Sequence, residues 1–312
     1  MSANLERETF HPFEQFIPSY SSQFRIGGVS VRLTGACATN VALTPSLEAF
    51  RVEAASCQID VQVEWVSQLL GSTRPALFDS GSVWSLYEEE NGFRFDFSTP
   101  AMGPHPYKRL MVDDKFRQAR LLLNEEYFAT VAAAPLGYPL DEVLILHRLT
   151  QEKAVEMHGC GIVTQKGIGN LFVGHSGAGK STTTRLWTSC QDAEILSDDR
   201  IIVRRSPDQD SCGEIRMYGT PWHGEADYAS PASASLKRIL ILEHGYGNIL
   251  TRLSKSQAVG ELFARSFVPF HRHEYLDTAL SFLHELVDAV PCYRYSFEPD
   301  QRAVDAILSL HD

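Results

Sequence analysis

The 312-residue chain has no apolar run near the roughly 18 residues that a membrane helix requires, so no membrane span is expected. Its first residues, MSANLERETFHPFEQF, lack the basic-then-apolar order of a secretion signal, and a cytoplasmic protein is expected. Cys37, Cys57, Cys160, Cys190, Cys212 and Cys292 are scattered, with no CxxC pair, which argues against a disulfide scaffold and against a structural zinc site. There is no Lys/Arg-rich stripe. With 28 basic against 39 acidic side chains the net charge is −11, so nucleic acid is not an expected partner. Internal repeats and low-complexity segments are missing too. What remains, 44% apolar and 21% charged, is globular composition, long enough for two domains.

Residues 1–134 read as a β-rich N-terminal domain whose role the sequence does not name. In Val83–Phe97, Phe93, Phe95 and Phe97 alternate with Arg94 and Asp96, and Asn91-Gly92 predicts a hairpin with a type I′ turn. Phe24–Leu33 and Ile59–Trp65 show the same two-residue period, and Pro100–Pro106 is a turn-rich connection. The segment from Leu110 to Phe128 is ambiguous, its second half reading as helix. A second domain, 135–312, opens with a helix pattern (Leu140, Val143, Leu144, Leu149) and ends with two more, Ala258–Phe267 and Tyr275–Val290. Arg238–His244 suits a buried strand.

The informative segment is GNLFVGHSGAGKSTTTRLW, Gly169–Trp187. Gly174 to Ser181 fits G-x-x-x-x-G-K-[ST] at every defined position, with an apolar strand before it and a helix pattern after it. Glycines allow successive backbone N–H groups to turn inward around a polyphosphate. Lys180 supplies a charge for the β- and γ-phosphates, the Ser181 hydroxyl a ligand for Mg²⁺, and the helix its positive end. NKxD and DxxG are absent, which removes guanine specificity of the small-GTPase kind. Leu253–Gln257 (LSKSQ) lacks the glycines of a transporter-ATPase signature, and Glu243 has no preceding Asp, so an ABC ATPase is not supported.

Seventeen residues after Ser181 comes Asp198-Asp199, inside EILSDDRIIVRR. Adjacent carboxylates at a strand junction can divide labour, one toward a metal and one toward an acceptor as general base; the alternative is a solvated turn. Upstream, VEMHGCGIV carries His158-Gly159 on a strand, so the phosphate loop hangs from an antiparallel hairpin.

In this order and spacing, HG, GHSGAGKST and LSDDRIIV resemble the catalytic domain of HPr kinase/phosphorylase, a P-loop fold related to ATP-dependent phosphoenolpyruvate carboxykinase. The resemblance covers roughly 135–312 and is sharp over Val155–Val203. It implies that Gly174, His175, Ser176, Gly177, Ala178, Gly179, Lys180, Ser181 and Thr182 hold ATP and Mg²⁺. It also implies that Asp198 is the acceptor base, with His158 near it, and Asp199 the metal-side partner, and it sets Glu225 in the place of a metal-binding Glu. The family's E-I-R-G-x-G pattern is missing from Tyr218–Pro231, so neither phosphorylase activity nor HPr as substrate is expected. The closer likeness is to HPr-kinase-like proteins of peptide modification, and the expected reaction is ATP-dependent transfer to a Ser of a peptide or protein. A small-molecule kinase, a carboxykinase-like enzyme and a non-catalytic ATP-binding scaffold are the alternatives, and homo-oligomerisation is left open. Trp222, His223 and Glu225 read equally well as a packed turn or a functional loop. His271 and His273 read as a solvated helix start, and Cys160 and Cys292 as small core residues.

Overall fold

The computed structural model describes residues 18–53, 56–81, 83–131, 134–189, 193–207 and 213–310. The N-terminal segment weighed as a secretion signal, and Cys190 and Cys212, lie outside them. The chain is a mixed α/β protein with a β-rich N-terminal region, and no helix among the described residues is long and apolar enough to cross a membrane. It divides into two compact units, Met1–Arg25 with Val29–Leu144, and Ile26–Gly28 with Ile145–Asp312.

In the first unit the strands are β1 (Tyr20–Ile26), β2 (Val29–Gly35), β3 (Ile59–Val66), β4 (Phe78–Asp79), β5 (Trp84–Glu89), β6 (Gly92–Phe97), β7 (Lys108–Asp113) and β8 (Gln118–Asn124). They form one sheet in the order β1-β2-β3-β8-β7-β6-β5-β4, accompanied by the short helices α1 (Pro45–Glu48) and α2 (Glu125–Thr130). The expected hairpin is β5–β6, but its turn is not type I′. Glu89 pairs with Gly92, leaving Glu90 and Asn91 as the turn, and neither has a positive φ. Gly92 is instead a strand residue where a Cβ would run into the carbonyl oxygen of Val112. The helix read in the second half of Leu110–Phe128 is there only from Glu125, as α2. Residues 118–124 are strand β8, because Ala119, Leu121 and Leu123 alternate into the core and the strand pairs in parallel with β3. Strand β6 is buried on both faces. Its phenylalanines line the core, while Asp96 accepts two bonds from the buried Arg109, at 2.6 and 3.0 Å, and Arg109 also donates to Leu70 O. Charges are kept in such a place only when paired.

In the second unit the elements after α3 (Leu140–Leu149) are β9 (Ala154–Val163), β10 (Gly169–Val173), α4 (Lys180–Thr188), β11 (Glu194–Ser197), β12 (Arg200–Arg205) and β13 (Ile215–Tyr218). They are followed by β14 (Ser233–His244), β15 (Ile249–Arg252), α5 (Lys255–Phe263), β16 (Ser266–Phe267), α6 (His273–Ala289), β17 (Cys292–Phe297) and α7 (Gln301–Leu308). The sheet bends back on itself: β10 pairs antiparallel with β9 and also in parallel with β14, which pairs in parallel with β17. The hairpin expected around the loop is therefore there, with a second, parallel neighbour that lies far away in sequence. Both faces of β10 are covered. Leu171 and Val173 face Leu262, Phe282 and Leu286 of α5 and α6, whereas Phe172 faces Trp187, Val304 and Ile307 of α4 and α7. Two covered faces explain why these strands read as continuous apolar runs. LSKSQ starts a helix, since Ser254 caps α5 in a capping box with Gln257.

Candidate functional site

Strand β9 organises the site because both of its edges break at the same place. On one edge Gly161 pairs with Ser197 of β11, and His158 pairs with Arg200 of β12; Asp198-Asp199 fills the gap. On the other edge Gly159 pairs with Val173, the last residue of β10, and Met157 with Ser266 of β16. The backbone N–H groups at the break donate outward, His158 to Arg265 O (2.8 Å) and Gly159 to Asp199 O (3.0 Å). The phosphate-type loop thus leaves one edge of β9 opposite the acid pair on the other. Glycine is needed at 159, since a Cβ would lie 2.7 Å from Phe172 O.

Within the loop, Gly177 and Gly179 have φ of +81° and +105°, the region that L side chains avoid. A Cβ on Gly174 would meet Ala178 at 2.6 Å, and one on Gly179 the Phe297 ring at 2.6 Å, so the cradle has no room for side chains there. Lys180 opens α4 and folds back, its Nζ donating to the carbonyls of Gly174 (3.0 Å) and His175 (3.2 Å). Burial pulls its ammonium below the ordinary lysine range, a pull that the Asp199 carboxylate opposes. Arg265 Nη2 donates to His175 Nε2 at 3.0 Å. A guanidinium can only donate, so His175 Nε2 is the acceptor in this bond. His244, at the end of β14, donates to Gly177 O at 2.7 Å.

The two aspartates have unlike surroundings. Asp198 is 2% exposed, and its two oxygens accept the backbone N–H groups of Gly224 (3.0 Å) and Ala226 (2.9 Å). Asp199 is half-buried; Oδ1 accepts from His158 Nε2 at 2.9 Å and Oδ2 from Arg200. Burial would raise the Asp199 carboxyl, but the His158 hydrogen bond and the charges of Arg200 and Lys180 outweigh it and hold it below the ordinary carboxylate value. Arg200 lies over the Phe267 ring at 4.2 Å. Asp198 is thus turned into the 224–226 loop, and Asp199 is the carboxylate held by His158 and Arg200, close enough for its charge to act on Lys180.

Glu225 is exposed on the loop whose neighbouring amides hold Asp198. Among the described residues no three His, Cys, Asp or Glu side chains gather into a site that could hold a metal. Trp222 is buried as the anchor of its turn, while His223 is exposed. His273 begins α6, but His271 is not simply solvated: its ring packs at 5.2 Å from His147 and 5.3 Å from Tyr275. Cys160 and Cys292 are buried, and burial pushes both thiols up to about 12, as inert core residues. Arg265, Phe267 and His244 were not singled out from the sequence. They come from two strand ends and a helix exit with no motif around them, and only the pairing of β9, β10, β14 and β16 brings them to the loop. The residues present fit a nucleotide triphosphate with Mg²⁺: a side-chain-free cradle at a helix N-terminus, a buried lysine held on loop carbonyls, Ser181 next to it and Asp199 within reach of its charge. Compared with protein-family models and with curated proteins, the chain matches none.

Proposed function

We propose that the second unit is an HPr-kinase-like P-loop phosphotransferase, moving the terminal phosphoryl group of ATP to a hydroxyl, with a Ser of a peptide or protein as acceptor. One observation carries the reading: β9 breaks on both edges at His158-Gly159, so that the Gly174–Ser181 loop and the Asp198–Asp199 pair face one another. Bound Mg²⁺ would neutralise charge on the transferred phosphoryl group, with Ser181 as its protein ligand. Lys180 would exchange its two carbonyl partners for phosphate oxygens, at little cost in desolvation because it is already buried. Catalysis of this kind depends chiefly on positioning and electrostatics. Asp199 is assigned as the base that orients the hydroxyl and accepts its proton, with His158 fixing the carboxylate. Asp198, the base suggested by the family resemblance, instead holds the 224–226 loop in place, because it is 2% exposed with both oxygens on loop amides, whereas the Asp199 side chain is a quarter exposed. The metal-side role set on Asp199 by the resemblance then passes to Ser181 and the nucleotide.

The test is incubation of the full chain with γ-labelled ATP and Mg²⁺, with Ser-containing peptides in one set and hydroxylated metabolites in another. Label on peptide, lost in Lys180→Ala with unchanged circular dichroism, supports the proposal. Label on metabolites alone moves the acceptor to small molecules. ATP binding with no acceptor-dependent transfer overturns the kinase reading.

A further inference from the structure

Next to the phosphate-type loop stands an exposed apolar pair that the proposed reaction does not use. Val173 of β10 pairs with Ile241 of β14, so the two strands deliver their chains to the same level of the sheet. Three residues later His244 is bonded to Gly177 O. The turn that follows, 245–248, is braced from the end of β17: Gly247 N–H donates to Glu298 Oε1 at 3.1 Å, and Glu298 N–H donates to Asn248 Oδ1 at 2.9 Å. On this braced turn Tyr246 is 87% exposed and Ile249, at its exit, 57%. A singly exposed aromatic is ordinary on a protein surface; what distinguishes Tyr246 is its place on a braced turn, two residues from the bond of His244 to the phosphate-type loop.

The chemistry of the neighbouring loop limits what that contact is. The loop is built for a polyphosphate, and what a nucleotide carries beyond its phosphates is a ribose and a flat heteroaromatic base. A tyrosine face with an aliphatic neighbour suits a base in stacking. Asn248 Oδ1 and the Glu298 carboxylate are already committed to bracing the turn, so neither is offered as an acceptor to a base edge. We propose that Tyr246, with Ile249 beside it, is a stacking platform for the nucleobase, favouring a nucleoside triphosphate over bare triphosphate without choosing between adenine and guanine. The proposal rests on the nucleotide reading of the Gly174–Ser181 loop.

The experiment is calorimetric binding of Mg-ATP, Mg-GTP and Mg-tripolyphosphate to the full chain and to Tyr246→Ala and Tyr246→Trp. A stacked base contributes about a 5- to 150-fold gain in affinity. The wild type is expected to bind ATP and GTP alike and tripolyphosphate more weakly by that factor. Tyr246→Ala should weaken both nucleotides to the tripolyphosphate level and leave tripolyphosphate unchanged, and Tyr246→Trp should keep nucleotide affinity. The side chain is exposed, so truncation does not endanger folding. Tyr246→Ala with wild-type ATP affinity, or with a raised acceptor KM alone, overturns the platform and leaves the loop assignment standing. A wild type that binds none of the three ligands overturns the loop assignment, and the platform with it.

Discussion

Replacing each aspartate of the pair by asparagine should give two different proteins. At Asp198 the carboxylate accepts one N–H from Gly224 and one from Ala226, and the group is 2% exposed. Asparagine keeps one acceptor and turns an NH₂ toward the other amide. One charge-assisted bond, about 1.5–3 kcal/mol, is lost, and a donor is left facing a donor. The 224–226 loop can limit the loss by swinging into water, because Gly224 and Ala226 are only half-buried. The expected outcome for Asp198→Asn is about 2 kcal/mol of destabilisation with much faster exchange of the Gly224 and Ala226 amide protons. At Asp199, asparagine keeps an acceptor for His158 and gives up the pairing with Arg200 on a side chain a quarter exposed, so stability should change by less than about 1 kcal/mol. Transfer should fall by about 10²–10⁴-fold, the usual contribution of a general base, with Mg-ATP affinity near wild type. Urea unfolding, amide exchange and single-turnover transfer on both variants decide the matter. Wild-type stability and amide protection in Asp198→Asn, or wild-type transfer in Asp199→Asn, would refute the division of roles.

Lys180→Ala should shift the urea midpoint little while removing turnover, because the cost of burying the ammonium offsets its two carbonyl bonds; loss of folding instead would mean that those bonds are structural. Gly92→Ala should destabilise the first unit by about 3 kcal/mol, the upper end for overpacking, because its Cβ meets backbone that cannot move aside as a side chain can, and an unchanged denaturation midpoint would refute the close approach. Burial brings the Lys108 ammonium down to about 8, against a smaller opposing effect of Asp141. Its folded value lies below its unfolded one, so the cost of burying the charge is fully present below pH 8. That cost is relieved as pH rises toward 10.5, by up to about 3 kcal/mol from this group alone. An NMR titration of the Lys108 side chain with a midpoint near 10.5 would show the group to be solvated.

How much of the protein the sequence determined follows from how far apart the interacting residues lie. Gly169–Trp187 is legible because strand, glycine cradle, lysine and helix are consecutive, and each residue type is demanded by a contact within a few positions. The β5–β6 hairpin and helices α3 and α6 are legible for the same reason, through hydrophobic periods of two and about 3.6. Even there register escaped: Asn91-Gly92 has the composition of a type I′ turn, yet the fit of Gly92 against Val112 shifts the turn back by one residue. Residues 118–124 have a composition open to helix, and the parallel neighbour β3, some sixty residues earlier, makes them a strand. Asp198-Asp199 could be found in the sequence but not told apart, because Asp198 takes its partners from Gly224 and Ala226 and Asp199 from His158. Arg265 meets His175 across ninety residues. Local pattern encodes which chemistry a segment can carry; sheet pairing, which spends chain entropy to bring distant segments together, decides which groups face each other across the break in β9.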